Sequence, residues 1–273
     1  MNILICGGSG LLGKELLNFL KDKKVNKLVG TYNNKKCENN DNISYYKINF
    51  LDKNEIKDLI KKEEINICLN SIVERDINIC ESNWEMVKNV NVNIVDNLSI
   101  VCNDLNVQII HISTDYVFDG SNGPYDVNDK HNPLQNYGIS KELSELKVKR
   151  NSNNYLIIRV PVLYSDICNL KDNAVTSIGL KLLDYINETI VEDNYYIRRP
   201  LFIKDFCVFL YDCMKNKIVG THHFYNPNNK FTKFEILECI NKILQIPNKK
   251  LTICNSNSNS IDRPYDTNLI DSN

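Results

Sequence analysis

The chain opens with a short apolar run, Asn2–Cys6, that stops at three spaced glycines, Gly7, Gly10 and Gly13, and continues as helically spaced apolar residues from Leu11 to Leu20. A strand, a glycine turn and a helix in that order constrain the fold more than any other feature here. A strand that feeds a helix returns as a parallel neighbour, so the unit commits the chain to a parallel sheet with helices on its faces. The alternation then repeats: strand-like runs at Lys27–Tyr32, Ser44–Asn49 and Ile65–Asn70 are separated by helical spacing at Lys53–Glu63 and followed by more at Trp84–Asn106. Val107–Ser113 is a fifth strand, Tyr137–Arg150 a helix, and Tyr155–Val160 a sixth strand stopped by Pro161. The class implied is α/β, a Rossmann-type doubly wound parallel sheet with a smaller C-terminal lobe.

The division is expected near Pro161, giving units at 1–161 and 162–273, the second packed on the first. Beyond it the spacing predicts helices at Val175–Ile186 and Asp205–Lys215 and a short strand at Thr221–Tyr225. Thr232 and Glu235 form a capping box that opens a helix to Leu244, and the polar repeat Asn255–Ser260 reads as a surface loop. With a net charge of −1, the chain offers no electrostatic draw toward nucleic acid or an anionic membrane. No apolar run approaches the roughly 18 residues of a bilayer span. The chain begins directly on its first strand, without a signal-peptide pattern, so a soluble, cytoplasmic protein is expected. Ten cysteines lie scattered without a C-x-x-C pair, which suits buried free thiols, and four histidines lack metal-ligand spacing, so no metal is expected.

Gly7, Gly10 and Gly13 allow a tight turn through which backbone approaches a pyrophosphate, its charge met by the amides of Leu11 and Leu12 at the helix start. At the end of the second strand, where an acidic residue would hold ribose hydroxyls, Asn33 and Lys35 stand instead, and no carboxylate comes before Glu38. That pattern favours NADP over NAD. Asp52 admits two readings, an adenine contact or a helix N-cap. Asn70 and Ser71, ending the fourth strand, are further candidates for the cofactor's border.

The fifth strand runs into Ser113, Thr114 and Asp115, which is how an open α/β sheet presents chemistry. Tyr137 and Lys141, four apart, share a helix face, and an ammonium beside a phenol is expected to lower its pKa from about 10 and ready it as a proton donor. Tyr32/Lys36 and Tyr211/Lys215 share the spacing; position after the Ser113–Thr114 strand end singles out Tyr137. Asn91 is either a support for a water leading to Lys141 or a polar helix residue.

Taken together, the glycine turn, Ser113-Thr-Asp-Tyr-Val-Phe-Asp-Gly120, Pro133-Leu-Gln-Asn-Tyr-Gly-Ile-Ser-Lys141 and Arg263-Pro264 resemble the extended short-chain dehydrogenase/reductases of the dTDP-4-dehydrorhamnose reductase type. The resemblance implies NADPH-dependent reduction of the C4 ketone of a dTDP- or UDP-linked 4-keto-6-deoxyhexose, acetamido sugars included, by Thr114, Tyr137 and Lys141. It makes the C-terminal lobe the substrate lobe, assigns Ser113, Thr114, Arg199 and Arg263 to the nucleotide sugar, and is compatible with a homodimer. Ordinary surface arginines before prolines remain the alternative for Arg199 and Arg263. Epimerising relatives carry a cysteine where this chain has Asp115, a carboxylate still able to take an α-proton. Asn70–Glu81, Leu156–Tyr164 with Asn173–Thr176, and Gly220–Phe224 resemble a second branch, the regulatory beta subunit of methionine adenosyltransferase, for which the resemblance implies NADP binding without catalysis. Ser71-Ile-Val73 departs from the alanine-rich turn of both branches and implies a reshaped nicotinamide pocket.

Overall fold

The computed structural model describes residues 1–166, 171, 173–184, 189–245, 251–254 and 261–271. The first half contains β1 (Asn2–Cys6), α1 (Leu11–Leu20), β2 (Lys27–Tyr32), β3 (Ser44–Lys47), α2 (Lys53–Lys62), β4 (Ile67–Asn70), α3 (Ile77–Ser82), α4 (Trp84–Lys88), a π-helical turn (Asn89–Asn93), α5 (Ile94–Asp104) and β5 (Gln108–Thr114). A 3₁₀ turn (Asp115–Val117) leads to α6 (Asn136–Asn151) and β6 (Tyr155–Val160). Then come β7 (Leu163–Tyr164), α7 (Ala174–Asp184), β8 (Ile190–Asp193), β9 (Leu201–Phe202), α8 (Ile203–Asn216), β10 (Gly220–His223), α9 (Lys233–Leu244) and β11 (Leu251–Cys254).

Seven strands make one parallel sheet in the order β10-β6-β5-β4-β1-β2-β3. The order reverses between β1 and β4, and that reversal opens a crevice beyond the carboxyl ends of the strands. Strand periodicity explains the two layers. On β1, Ile3 and Ile5 join one core with Leu16 and Leu17 of α1 and Phe206 and Leu210 of α8, while Leu4 and Cys6 join the other with Ile56 of α2 and Leu98 of α5. Ile3, Leu4 and Ile5 have no exposed surface, and burial of each such side chain contributes about 1.5–3 kcal/mol. A third, smaller core of Ile178, Leu182, Ile190, Ile236 and Leu237 joins α7, β8 and α9.

Several elements differ from their sequence patterns. The expected helix Trp84–Asn106 is divided by the π-helical turn, which inserts a residue into the helical ladder and re-aims Asn91 inward. The helix α3 had no apolar stripe to announce it; the Asp76 side chain caps it by accepting from Asn78 and Ile79 N–H. The strand expected at Thr221–Tyr225 is β10, which closes an edge of the main sheet, so the 162–273 segment contributes to the first layer as well as to its own. The two-residue and four-residue pairs β7–β9 and β8–β11 carry too few residues for a legible pattern. Ile186, Cys168 and the Asn255–Ser260 repeat lie outside the described residues. Six of the described cysteines are buried free thiols, whereas Cys239 is exposed and Cys37 and Cys254 are half-buried. No described helix is long and apolar enough to cross a membrane, and no described cluster of His, Cys, Asp and Glu could hold a metal ion.

The capping box predicted at Thr232 and Glu235 is formed in both directions. At the first turn, a methyl group on Gly13 would overlap the Gly7 carbonyl oxygen and crowd the Gly8 backbone, whereas one on Gly10 would meet the same oxygen at 3.2 Å. Gly13→Ala is therefore expected to lower stability by about 1–3 kcal/mol, the usual range for overpacking, and Gly10→Ala by less. Denaturant midpoints of the two variants check the order; equal loss would contradict it.

Candidate active site

Above the sheet reversal lies a cavity of about 820 Å³. Its wall runs from Gly10, Leu11 and Leu12 at the start of α1, past Ser71, to Ser113, Thr114 and Asp115 at the end of β5, then to Tyr137 and Lys141 of α6 and to Arg198, Lys233 and Arg263. The glycine turn and the catalytic candidates thus share one space although more than 100 residues separate Gly10 from Thr114. Gly7, Gly13 and Asn70 shape the turn and strand end behind that wall. The helix α1 opens at Gly10 without a side-chain cap, which leaves first-turn amides for an anion. Lys35 reaches the cavity from an exposed loop; Asn33 is exposed and outside the wall. Asp52 resolves as the N-cap of α2, its side chain accepting from Asn54 N–H at 2.8 Å.

Tyr137 is brought to Thr114 by close contact between α6 and the 3₁₀ turn. A methyl group on Gly138 would overlap the Tyr116 carbonyl oxygen, so glycine lets the helix start against that turn. The Gln135 side chain caps the helix by accepting from Gly138 N–H at 2.9 Å. Tyr116 and Tyr137 meet edge to face, with ring centres 6.1 Å apart. Thr114 donates to Asp115 Oδ1 at 3.0 Å, while Thr267 donates to Asp115 Oδ2. Burial raises the Asp115 carboxyl to about 6, against the opposing hydroxyls of Thr267 and Thr114.

The expected lowering of the Tyr137 pKa by Lys141 is corrected. Burial pushes the phenol above its ordinary value, and Thr114 opposes the rise. Lys141 is itself buried, and desolvation lowers its ammonium to about 7, with Glu145 opposing. Its Nζ donates to the Ile112 carbonyl at 2.8 Å and lies 3.2 Å from His111 Nε2. A phenol that holds its proton beside an amine that parts with one is suited to delivering a proton, rather than to resting as phenolate.

Two further assignments change. Asn91 spends both amide protons on the Glu74 carbonyl (2.9 Å) and Ser140 Oγ (2.9 Å), and its oxygen accepts from Glu74 N–H at 2.7 Å. It fastens the segment after β4 to α6. Arg199 lies at the cavity wall, but its fork is engaged by Asp266, Nε to Oδ1 and Nη2 to Oδ2 at 3.1 Å each, so it is a clamp for the C-terminal segment and not a free anion ligand. Its neighbour Arg198 was missed. Arg198 Nη2 and Arg263 Nε are buried and lack a hydrogen-bond partner among the described residues, and Lys233 lines the wall beside them. The Arg198-Arg199-Pro200 run signalled a cation here, and both arginines reach the cavity wall, but only Arg199 is taken up by the Asp266 carboxylate.

Beneath the site Glu145 and Arg159 form a wholly buried pair, Nη2 to Oε2 at 2.8 Å and Nε to Oε1 at 3.0 Å. Ser113 donates to Glu145 Oε1, and Arg159 Nη1 donates to the Val127 carbonyl. Burial alone would raise the Glu145 carboxyl, but the bonds and charge of Arg159 overcome it and hold it down to about 2.

A family model described as the RmlD substrate binding domain matches residues 1–272. The chain is 29% identical to the β subunit of methionine adenosyltransferase 2 of Xenopus laevis over 253 residues, 91% of this chain and 73% of that protein. It is 31% identical to the probable low-salt glycan biosynthesis reductase Agl14 of Haloferax volcanii over 165 residues, 60% of this chain and 54% of that protein. Among solved structures, dTDP-4-dehydrorhamnose reductase from Bacillus anthracis, in complex with NADP, matches in fold with a TM-score of 0.82 at 21% identity, covering 98% of this chain and 90% of that one.

The buried pair makes a stability prediction. Glu145→Gln leaves Arg159 an uncompensated buried charge and is expected to cost about 3–5 kcal/mol. In the wild type the folded carboxyl has the lower pKa, so its contribution is present above the ordinary carboxylate value of 4.5 and is lost as pH falls toward about 2. Urea midpoints between neutral and acid pH should show the wild type and Glu145→Gln converging on acidification; a constant gap would contradict the assignment.

Proposed function

The chain belongs to the RmlD substrate binding domain family, and from that premise we propose that it reduces the C4 ketone of a nucleotide-linked 4-keto-6-deoxyhexose with NADPH. It is dTDP-4-dehydrorhamnose reductase-like in family and fold. The observation that carries the proposal is the convergence of Thr114, Tyr137 and Lys141 on one cavity, with an uncapped helix start at one end and Arg198, Arg263 and Lys233 at the other. On this reading residues 1–161 hold the cofactor and residues 162–273 the sugar nucleotide.

The residues present fit a dinucleotide: the α1 amides suit its pyrophosphate, and Lys35, with no carboxylate nearby in sequence before Glu38, suits a 2′-phosphate. NADPH, when bound, supplies the hydride. The chain supplies the rest. Tyr137 delivers its phenolic proton to the oxygen of the ketone, Thr114 hydrogen-bonds the same oxygen, and Lys141 replaces the lost proton from its ammonium. The guanidinium groups of Arg198 and Arg263 carry unsatisfied N–H donors that suit a sugar diphosphate. Asp115, with its pKa brought up to about 6, is the group placed to exchange an α-proton, which would couple epimerisation to reduction.

A second reading has its own support. The match to the methionine adenosyltransferase β subunit spans 91% of the chain, against 60% for the Haloferax reductase, so a role as an NADP-binding partner of a transferase is the alternative.

Incubation of the wild type with NADPH and a 4-keto-6-deoxy sugar on dTDP or UDP, followed at the NADPH absorbance band, tests the proposal. Oxidation is expected with at least one nucleotide; none with either overturns it and leaves the partner reading. Run in D₂O, the same reaction labels carbons beside the ketone where Asp115 exchanges an α-proton, and label confined elsewhere removes that role. Tyr137→Phe keeps the ring and removes the acid, so turnover is expected to fall by about 10²–10⁴ with NADPH binding retained. Fluorescence titration is expected to show tighter binding of NADPH than NADH; equal affinity would leave Lys35 without a role.

A further inference from the structure

His111 lies on β5 one residue before the carbonyl that holds Lys141, and no step above employs it. It has no exposed surface, and its three side-chain neighbours, Asn70, Lys141 and Ser144, are buried with it. The hydrogen bonds around it run in one direction. Ile72 N–H donates to Asn70 Oδ1 at 3.2 Å, which fixes that amide with its nitrogen toward the ring. Asn70 Nδ2 then stands 3.2 Å from His111 Nδ1 and is the donor, so Nδ1 carries no proton. The neutral ring must therefore carry its proton on Nε2, where Ser144 Oγ accepts at 2.9 Å. Ser144 is free to accept because its own proton goes to the Lys141 carbonyl at 2.7 Å. With that proton given to Ser144, Nε2 has no lone pair left for the Lys141 nitrogen 3.2 Å away.

We propose that His111 is a positioning residue for Lys141: held by Asn70 in its Nε2–H form, with that proton given to Ser144, it offers Nζ no acceptor and so directs the ammonium onto the Ile112 carbonyl. An ammonium left with one acceptor fewer is stabilised less, which acts in the same sense as burial. The other titratable groups facing this lysine are Tyr137 and Glu145, one turn to either side on α6, and Glu145 acts in the opposite sense. Protonation of His111 would set a second N–H against the Asn70 amide, and burial, followed by the Lys141 charge, holds its pKa well below the ordinary value. The ring is thus a fixed dipole across neutral pH rather than a titrating group. It also joins the end of β4, on the cofactor side, to the lysine on α6. The consequence for turnover rests on the reductase reading, since a loosely held proton on Lys141 is what restores the Tyr137 phenol after each reduction.

Two measurements test the geometry without substrate. Long-range ¹H–¹⁵N spectra of the wild type at neutral pH are expected to show His111 protonated at Nε2 and bare at Nδ1; the opposite tautomer or an imidazolium overturns the proposal. In protein labelled with ¹³Cε-lysine, the Lys141 resonance, identified by its loss in Lys141→Arg, is expected to titrate near the lowered value of about 7. In His111→Gln the side-chain oxygen can accept from Nζ where the protonated Nε2 does not, so the midpoint is expected to rise by about one pH unit. An unchanged or lower midpoint overturns the proposal. If His111→Gln fails to fold, the wild-type tautomer alone decides. Absence of 4-keto sugar turnover alongside the expected spectra would overturn the reductase reading and leave the role of His111 intact.

Discussion

The corner that holds Tyr137 and Lys141 depends on one buried ion pair. Arg159 on β6 and Glu145 on α6 have no exposed surface, and between them they bond Ser113 on β5, Val127 in the loop after the 3₁₀ turn, and the two rings His131 and His223. Such a pair adds little net stability, because desolvating both charges offsets most of their attraction. What it adds is registry: α6, which carries Tyr137 and Lys141, can dock on β5 and β6 in only one way that leaves neither charge unpaired. The π-helical turn works to the same end from the other side, since it lets Asn91 join Glu74 to Ser140.

Burial also decides the chemistry of the groups so placed. The same loss of water raises the Tyr137 phenol, raises the Asp115 carboxyl, and lowers the Lys141 ammonium and the His111 imidazolium. Each shift favours the neutral form, so the site pairs a proton-bearing phenol with a carboxyl and an amine whose midpoints, about 6 and about 7, lie near neutral pH. Proton traffic, rather than fixed charge, is the business such an arrangement serves. Arg198 and Arg263 stand at the far end of the cavity, with Lys14 and Lys35 toward the glycine turn.

The C-terminal segment ties these parts together across the greatest distance in sequence. Asp266 clamps Arg199, Thr267 donates to Asp115, and Asn268 and Ile270 exchange backbone hydrogen bonds with Tyr125. Arg263, on the same segment, lines the cavity. One stretch of chain therefore supplies a cation to the cavity wall and a hydroxyl to the carboxylate beside Thr114.

By itself the sequence determined the parallel sheet, its first six strands, the glycine turn and the placing of Thr114, Tyr137 and Lys141, because each is written in local spacing: period two, period 3.6, a capping residue or a glycine. It could not determine which way a side chain at a single position would be used. Arg199 is taken up by Asp266 while Arg198 keeps a donor without a hydrogen bond, Asn91 binds backbone, and His111 reads as one more strand residue until Asn70, Ser144 and Lys141 close around it. Those outcomes were decided by tertiary structure, since they depend on which groups lose water together. The sign of the Tyr137 shift was decided there too, because the Lys141 nitrogen is drawn to the Ile112 carbonyl, and the desolvation that governs both pKa values exists only once the layers have packed.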